Sequence, residues 1–231
     1  MKSLGDRMKQ NYENRYRHYL TRRTPVIMRL DGKAFHTLTR HCEKPFDDTF
    51  TTAMNLTAEA LVTSIQGAKL AYVQSDEISI LLTDFDKLDT EAWFDYNIQK
   101  MTSVSAATAS TIFMQTKMSK IGIGIFDSRV FNIPKEDMVN YFVWRQQDWV
   151  RNSVQMLAQS HFSHKKLHGK NQADMHEMLY TKDVNWANLE PRYKNGGCYM
   201  KFNDVGWVYY SNMIFQKERN VIENLLKPTE E

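Results

Sequence analysis

Two apolar runs in this chain each break at a carboxylate. In "VIMRLDGKAFH", residues 26–36, the break is Asp31–Gly32; in "LAYVQSDEISILL", residues 70–82, it is Ser75–Asp76–Glu77. Carboxylates carried to the same end of neighbouring strands repel, and a shared divalent cation removes that penalty. All-oxygen ligands suit Mg²⁺, which keeps waters and takes one or two carboxylates together with substrate phosphates. A pair of such ions activates an attacking oxygen and stabilises a leaving one in phosphoryl or nucleotidyl transfer. The alternative is that each acid only caps its own turn, and the residue types leave both readings open. The residues after Asp31 favour phosphate chemistry. Gly32, Lys33, Ala34, Phe35 and His36 offer consecutive backbone N–H groups after a glycine, a cradle for a triphosphate. Lys33 and Lys44 can add positive charge, and Ser75 can donate a hydrogen bond to phosphate. Phe35 is either a ring that stacks on a base or a core aromatic; His36 either contacts phosphate or ribose or is structural. There is no nucleophile-elbow serine and no Cys/His pair in a suggestive context. Gly122 and Gly124 are not a phosphate loop, because no helix follows them.

The elements that must position these acids are legible from periodicity. Residues 4–20 read as a basic helix, and 26–30 as a strand ended by Asp31–Gly32, with glycine allowing a sharp turn. Asp47 or Asp48 caps a helix reaching about Ile65, in which Phe50, Met54, Ala58, Leu61 and Ile65 recur at helical spacing. Residues 68–74 and 78–83 form a hairpin. A second long helix runs from Asp89 or Thr90 to about Lys117, and its small-residue segment "SVSAATAS" suits close packing on a sheet. A strand lies near 125–133. Pro134 opens a third long helix to about Phe162, with Arg145, Trp149, Asn152 and Met156 along one stripe. Residues 171–180 form a short helix, Asn195–Gly196 marks a hairpin turn, and the tail after 217 is helical. The order β-α-β-β-α-β is the split-βαβ arrangement. The expected class is therefore α+β: a mostly antiparallel sheet with helices on one face, then a helical C-terminal portion. Residues 1–135 would form the core and 136–231 would pack on the same unit.

The totals narrow the class further. With 231 residues, 42% hydrophobic and 12% aromatic, the chain can bury a substantial core. Net charge is only +3, yet the basic residues cluster. Lys2, Arg7, Lys9, Arg15, Arg17, Arg22 and Arg23 face only Asp6 and Glu13 in the first 25 residues, interleaved with Tyr12, Tyr16 and Tyr19. A second cluster is "HFSHKKLHGK" at 161–170. Such patches suit a phosphate backbone or, equally, a solvated helix face. The two cysteines, Cys42 and Cys198, show no zinc spacing and are expected as free thiols in a reducing compartment. No apolar run approaches the roughly 20 residues that cross a bilayer, and no signal peptide is visible. The expectation is a soluble, cytoplasmic protein without a membrane partner.

"RLDGKAFH", "KPFDD", "YVQSDEISILL", "FDSRVF" and "YFVWRQQDWVRNS", followed by "RYKNGG", resemble in order the motifs of the tRNA-His guanylyltransferase family, over about residues 5–200. The resemblance implies a polymerase-palm-like domain that extends RNA in the 3′–5′ direction. A nucleoside triphosphate, ATP or GTP, activates the 5′-monophosphate end of tRNA, and the 3′-hydroxyl of an incoming NTP then attacks that end. By the resemblance, Asp31 and Asp76 hold two Mg²⁺ ions with the Gly32 carbonyl. Glu77 is the acidic neighbour in the catalytic set. The stretch Asp31–His36, with Ser75 and Asp76, binds nucleotide. Lys44 lies near the triphosphate and Asn152 near the active site. A homotetramer, a dimer of dimers, is also implied. Two positions depart from the eukaryotic branch: Val150 stands where it has the histidine tied to tRNA-His selection, and Ala34 where it has asparagine. The chain thus looks closer to the guanylyltransferase-like proteins of bacteria, archaea and viruses, which resemble templated 5′-end repair polymerases. A nucleotide cyclase of palm-like fold and a catalytically inactive RNA-binding protein are the competing readings. Cyclic product from NTP alone would mark the first, and tRNA binding without turnover the second.

Overall fold

The structure, a computed structural model, describes residues 2–227; the part of the predicted helical tail beyond 227 lies outside them. The chain runs through α1 (Leu4–Asn11), β1 (Val26–Gly32), α2 (Phe35–Leu38), α3 (Asp48–Ser64), β2 (Ala68–Gln74), β3 (Glu77–Leu82) and α4 (Ile98–Gln115). It continues with β4 (Phe126–Asn132), α5 (Lys135–His161), α6 (His164–Leu167), α7 (Gln172–Tyr180), α8 (Pro191–Asn195), β5 (Gly197–Phe202), β6 (Gly206–Tyr210) and α9 (Arg219–Asn224). Six strands form one sheet in the order β4-β1-β3-β2-β5-β6, every neighbouring pair antiparallel. The first four strands have the split-βαβ order.

Strand alternation divides the core into two layers. Val26, Met28 and Leu30 of β1, with Ile78, Ile80 and Leu82 of β3, pack with Met54, Ala58 and Leu61 of α3 and Met101, Ala109 and Phe113 of α4. The opposite face carries Ile27, Leu70, Tyr72 and Leu81, packed with Met138, Tyr141 and Phe142 of α5 and Ile222 of α9. The βαβ helices thus cover one face and the C-terminal portion covers the other. The small residues of α4 work as expected: Ser105 and Ala109 are buried, and Ser105 Oγ donates to Ser128 Oγ on β4 at 2.8 Å. Asp47 is the cap of α3, its carboxylate accepting from Phe50 N–H at 2.8 Å.

Three predicted elements differ, each because a tertiary contact outweighs local preference. The basic helix ends at Asn11, followed by a 3₁₀ turn to Tyr16 and an extended segment. The second long helix starts at Ile98, not near Thr90. The two shortened ends bind each other: Leu20 N–H donates to the Tyr96 carbonyl (3.0 Å), Ile98 N–H to the His18 carbonyl (2.9 Å), and Arg22 pairs with buried Asp84 at 2.6 Å. Asn195–Gly196 is no hairpin turn. Asn195 ends α8 and Gly196, at φ 78°, caps it, while the hairpin of β5 and β6 turns between Phe202 and Gly206.

Gly32 also has a different purpose from the one its sequence position suggests. It stays within β1, and the left-handed residue that turns the chain is Ala34, at φ 56°. Gly32 is needed because the buried Phe35 ring lies against it; a Cβ there would meet Phe35 Cγ at 2.5 Å. Phe35 packs on Phe50, Phe113 and Phe126 and has no room to yield. Gly32→Ala is therefore expected to lower unfolding free energy by about 1–3 kcal/mol, the usual cost of overpacking. Urea denaturation checks this, and an unchanged midpoint would contradict the packing described.

Candidate active site

Three features bring the acids together. β1 lies between β3 and β4, so Asp31 sits directly opposite Glu77 on one side and Asp127 on the other. Asp76 occupies the turn between β2 and β3, preceded by Ser75 in the left-handed region at φ 47°. Gly32 N–H then donates to the Asp76 carbonyl at 3.0 Å, which ties the end of β1 to that turn.

The electrostatics of the two aspartates match. Partial burial raises the Asp31 carboxyl above its ordinary range, with the Glu77 charge adding to it and Arg29 opposing. Burial likewise raises Asp76, and the Asp31 charge adds to it while the Ser75 hydroxyl opposes. Each carboxylate destabilises its neighbour, the condition a bound cation relieves. Asp31's cationic neighbour, Arg29, stands off at 3.6 Å. Two carboxylates and the Gly32 carbonyl are hard oxygen donors that fit Mg²⁺. Among the described residues no group of three or more His, Cys, Asp and Glu side chains could hold a metal, so further ligands would come from backbone, water and phosphate, as Mg²⁺ prefers.

Glu77 is different. It is 5% exposed, and Arg145 grips it with Nε on Oε1 and Nη2 on Oε2, both at 2.8 Å. Arg29 adds a contact to Oε2 at 2.7 Å, and Ser79 Oγ donates to Oε1 at 3.2 Å. Both oxygens are consumed. The expectation that Glu77 joins the catalytic set is corrected here: its geometry is that of a positioning group, locking α5 and Arg29 to the strand end where Asp31 stands.

The cradle after Asp31 is narrower than the sequence suggests. Lys33 N–H is spent on the Ile125 carbonyl at 2.8 Å, and Gly32 N–H on Asp76. The amides left are those of Ala34, Phe35 and His36 at the start of α2, which no side chain caps. The Phe35 ring is 2% exposed and belongs to the core, so it does not stack on a base. The side chains of Lys33 and His36 are exposed beside this turn. Asn152 of α5 shares a polar groove with Ser75, Asp76, Gln155 and Gln159.

Sequence reasoning missed an aromatic hollow next to this groove. Its walls include Phe46, Met54, Trp149, Met156, Tyr193 and Tyr209, and Lys44 and Ser75 stand at its rim. Phe46 and Tyr193 stack at 4.6 Å with an 8° interplanar angle. Lys44 Nζ is held by the Thr39 carbonyl at 3.3 Å. Ser75, Trp149 and Met156 line both hollow and groove, so the two join beside Asp76. The one sequence signal for it is the stripe Arg145, Trp149, Asn152 and Met156, whose members reach Glu77, hollow and groove.

The comparisons with known proteins agree with this geometry. Residues 5–134 match the family model described as tRNAHis guanylyltransferase. A solved bacterial tRNA(His) guanylyltransferase-like protein in complex with ATP superposes with a TM-score of 0.91 at 44% identity, covering 98% of this chain and 100% of that one. Its counterpart in complex with GTP gives 0.84 at 41% identity, covering 97% and 99%. A probable tRNA(His) guanylyltransferase of Drosophila melanogaster is 30% identical over 74% of this chain, which spans 65% of that relative's length. With the palm-like sheet and the strand-end acids in place, the chain belongs to the tRNAHis guanylyltransferase family.

Proposed function

We propose that the protein is a Mg²⁺-dependent 3′–5′ nucleotidyltransferase that adds nucleotides to the 5′ end of tRNA. The observation that carries this reading is the coupled pair Asp31 and Asp76 at the junction of an aromatic hollow and a polar groove. Solved relatives hold ATP and GTP, which supports a nucleoside triphosphate here. The hollow takes the base of the activating nucleotide, Lys44 at its rim faces the triphosphate, and the amides of Ala34, Phe35 and His36 receive phosphate oxygens. Asn152 and Ser75 orient the RNA end in the groove. Asp31, Asp76 and the Gly32 carbonyl would hold two Mg²⁺ ions, which supply charge neutralisation for the phosphates and activation of the attacking oxygen.

The reaction has two displacements. A 5′-phosphate oxygen of the RNA attacks the α-phosphorus of the activating NTP, and pyrophosphate leaves. The 3′-hydroxyl of an incoming NTP then attacks the 5′-phosphorus, and the activating nucleoside monophosphate leaves. Val150 in place of the tRNA-His-selecting histidine supports templated 5′-end repair over dedicated tRNA-His modification. No helix among the described residues is long and apolar enough to cross a membrane. A cytoplasmic homotetramer completes the proposal, consistent with the free thiols Cys42 and Cys198.

The test is incubation with Mg²⁺, single NTPs and tRNAs lacking their first 5′ nucleotide. Added residues are expected to pair with the opposing template base, with little preference for tRNA-His. Strong anticodon dependence would contradict the repair reading. Cyclic nucleotide formed without RNA would favour a cyclase, and binding without addition a vestigial site.

A further inference from the structure

Two polar atoms in the walls of the aromatic hollow are buried without a hydrogen-bond partner: the side-chain oxygen of Gln74 and the indole N–H of Trp149. Gln74 ends β2 and Trp149 lies on α5; they are 4% and 5% exposed. Leaving a buried donor or acceptor unpaired costs the folded state, and buried indole N–H groups normally find an acceptor. Nearby polar groups do. Gln146, one turn before Trp149 on α5, donates to the carbonyls of Asn195 (3.0 Å) and Met213 (2.9 Å) and accepts from Phe215 N–H (2.9 Å). The Trp186 indole donates to Ser153 Oγ at 2.9 Å. The deficit therefore sits at the hollow while the same helix is satisfied on its other sides.

We propose that Gln74 and Trp149 determine base specificity by reading the edge of the nucleobase in the hollow. This rests on the reading of the hollow as a nucleotide site. Indole N–H is a donor only and cannot reverse its role, so Trp149 demands an acceptor on the base, a ring nitrogen or a carbonyl. The Gln74 oxygen accepts from an adjacent amino or imino N–H. Adenine offers an amino group beside a ring nitrogen, and guanine an imino N–H beside a carbonyl. The ligand class is thus a nucleoside triphosphate whose base presents a donor next to an acceptor, held face-on by the surrounding aromatic rings. Such a pair selects among bases because the wrong one leaves buried groups unpaired.

The experiment is calorimetric binding of ATP, GTP, CTP and UTP to the full-length protein with Mg²⁺, for wild type, Gln74→Met and Trp149→Phe. Wild type is expected to favour one base by about tenfold or more, the scale of one hydrogen bond. Each variant should lose about tenfold for that nucleotide and less than about threefold for the others, collapsing the selectivity. Because Gln74 lacks a partner in the free protein, Gln74→Met should melt no lower than wild type. A purely structural role would lower its melting temperature and leave selectivity intact, overturning the assignment. Equal wild-type affinity for all four nucleotides, or an equal loss for all four in the variants, would also overturn it. Failure of wild type to bind any NTP would overturn both this assignment and the nucleotide reading beneath it.

Discussion

Asp76→Ala is expected to reduce nucleotide addition by about 10³-fold or more while leaving tRNA affinity within about twofold. A bound cation contributes several kcal/mol of charge stabilisation to a phosphoryl transition state, and each 1.36 kcal/mol is about tenfold in rate. Asp76 is one of only two side-chain carboxylates the site has to offer, so losing it removes that contribution. RNA affinity instead depends on many phosphate contacts spread over basic surface, which this substitution does not touch. Single-turnover addition and electrophoretic mobility shift measure the two quantities separately; normal turnover would sink the metal assignment. Stability should move the other way. The Asp76 carboxyl is raised, mainly by burial, so its favourable contribution exists only at acid pH and is lost as pH rises through the folded-state value. At neutral pH the charged form is a cost. Asp76→Asn should therefore melt at or above the wild-type temperature without divalent cations, while added Mg²⁺ should raise the melting temperature of wild type and not of the variant.

The acids themselves can be read from the sequence because they depend on local signals. A strand that ends in Asp–Gly and a hairpin that turns at Ser–Asp–Glu each announce themselves within ten residues, and the split-βαβ order makes them neighbours. Around them, legibility falls with sequence separation. Glu77 adjoins Asp76 in the chain and shares its chemistry, but its partners Arg145 and Arg29 arrive from 68 residues downstream and from another strand. Phe35 is ambiguous in isolation, and only Phe50, Phe113 and Phe126 closing around it make it a core ring. The aromatic hollow draws on α3, β2, α5, α8 and β6, and no window of one chain reveals a cavity with walls so dispersed. Asn195–Gly196 has hairpin composition, yet the same glycine preference for positive φ serves a helix cap equally well, and Val73 and Tyr72 crowd that glycine from the neighbouring strand. Local chemistry determines what the site contains, and long-range packing decides which residues can reach it.

Arg145→Leu is expected to cost about 3–5 kcal/mol of unfolding free energy, the range for stripping one partner from a buried ion pair. Arg145 and Glu77 are 6% and 7% exposed at their side chains, so neither charge is relieved by solvent. Arg29 remains on Glu77 Oε2 at 2.7 Å, which places the loss toward the lower end of that range. Burial of a pair is not evidence that the pair itself stabilises; well-packed apolar replacements of both members are often neutral. The double variant Glu77→Met/Arg145→Leu should accordingly recover much of the stability lost by Arg145→Leu, a coupling that chemical denaturation of both single variants and the double variant measures. Activity should not recover with it. Without Glu77, Arg29 loses its 2.7 Å partner and the Asp31 carboxylate, now 3.6 Å away, becomes the nearest one. Arg29 would then compete for the oxygens that Asp31 offers to Mg²⁺, and the Mg²⁺ concentration needed for half-maximal addition should rise. A double variant that regained both stability and Mg²⁺ response would show that Glu77 only packs; regained stability with weakened Mg²⁺ response would show that its charge keeps Arg29 away from the metal site.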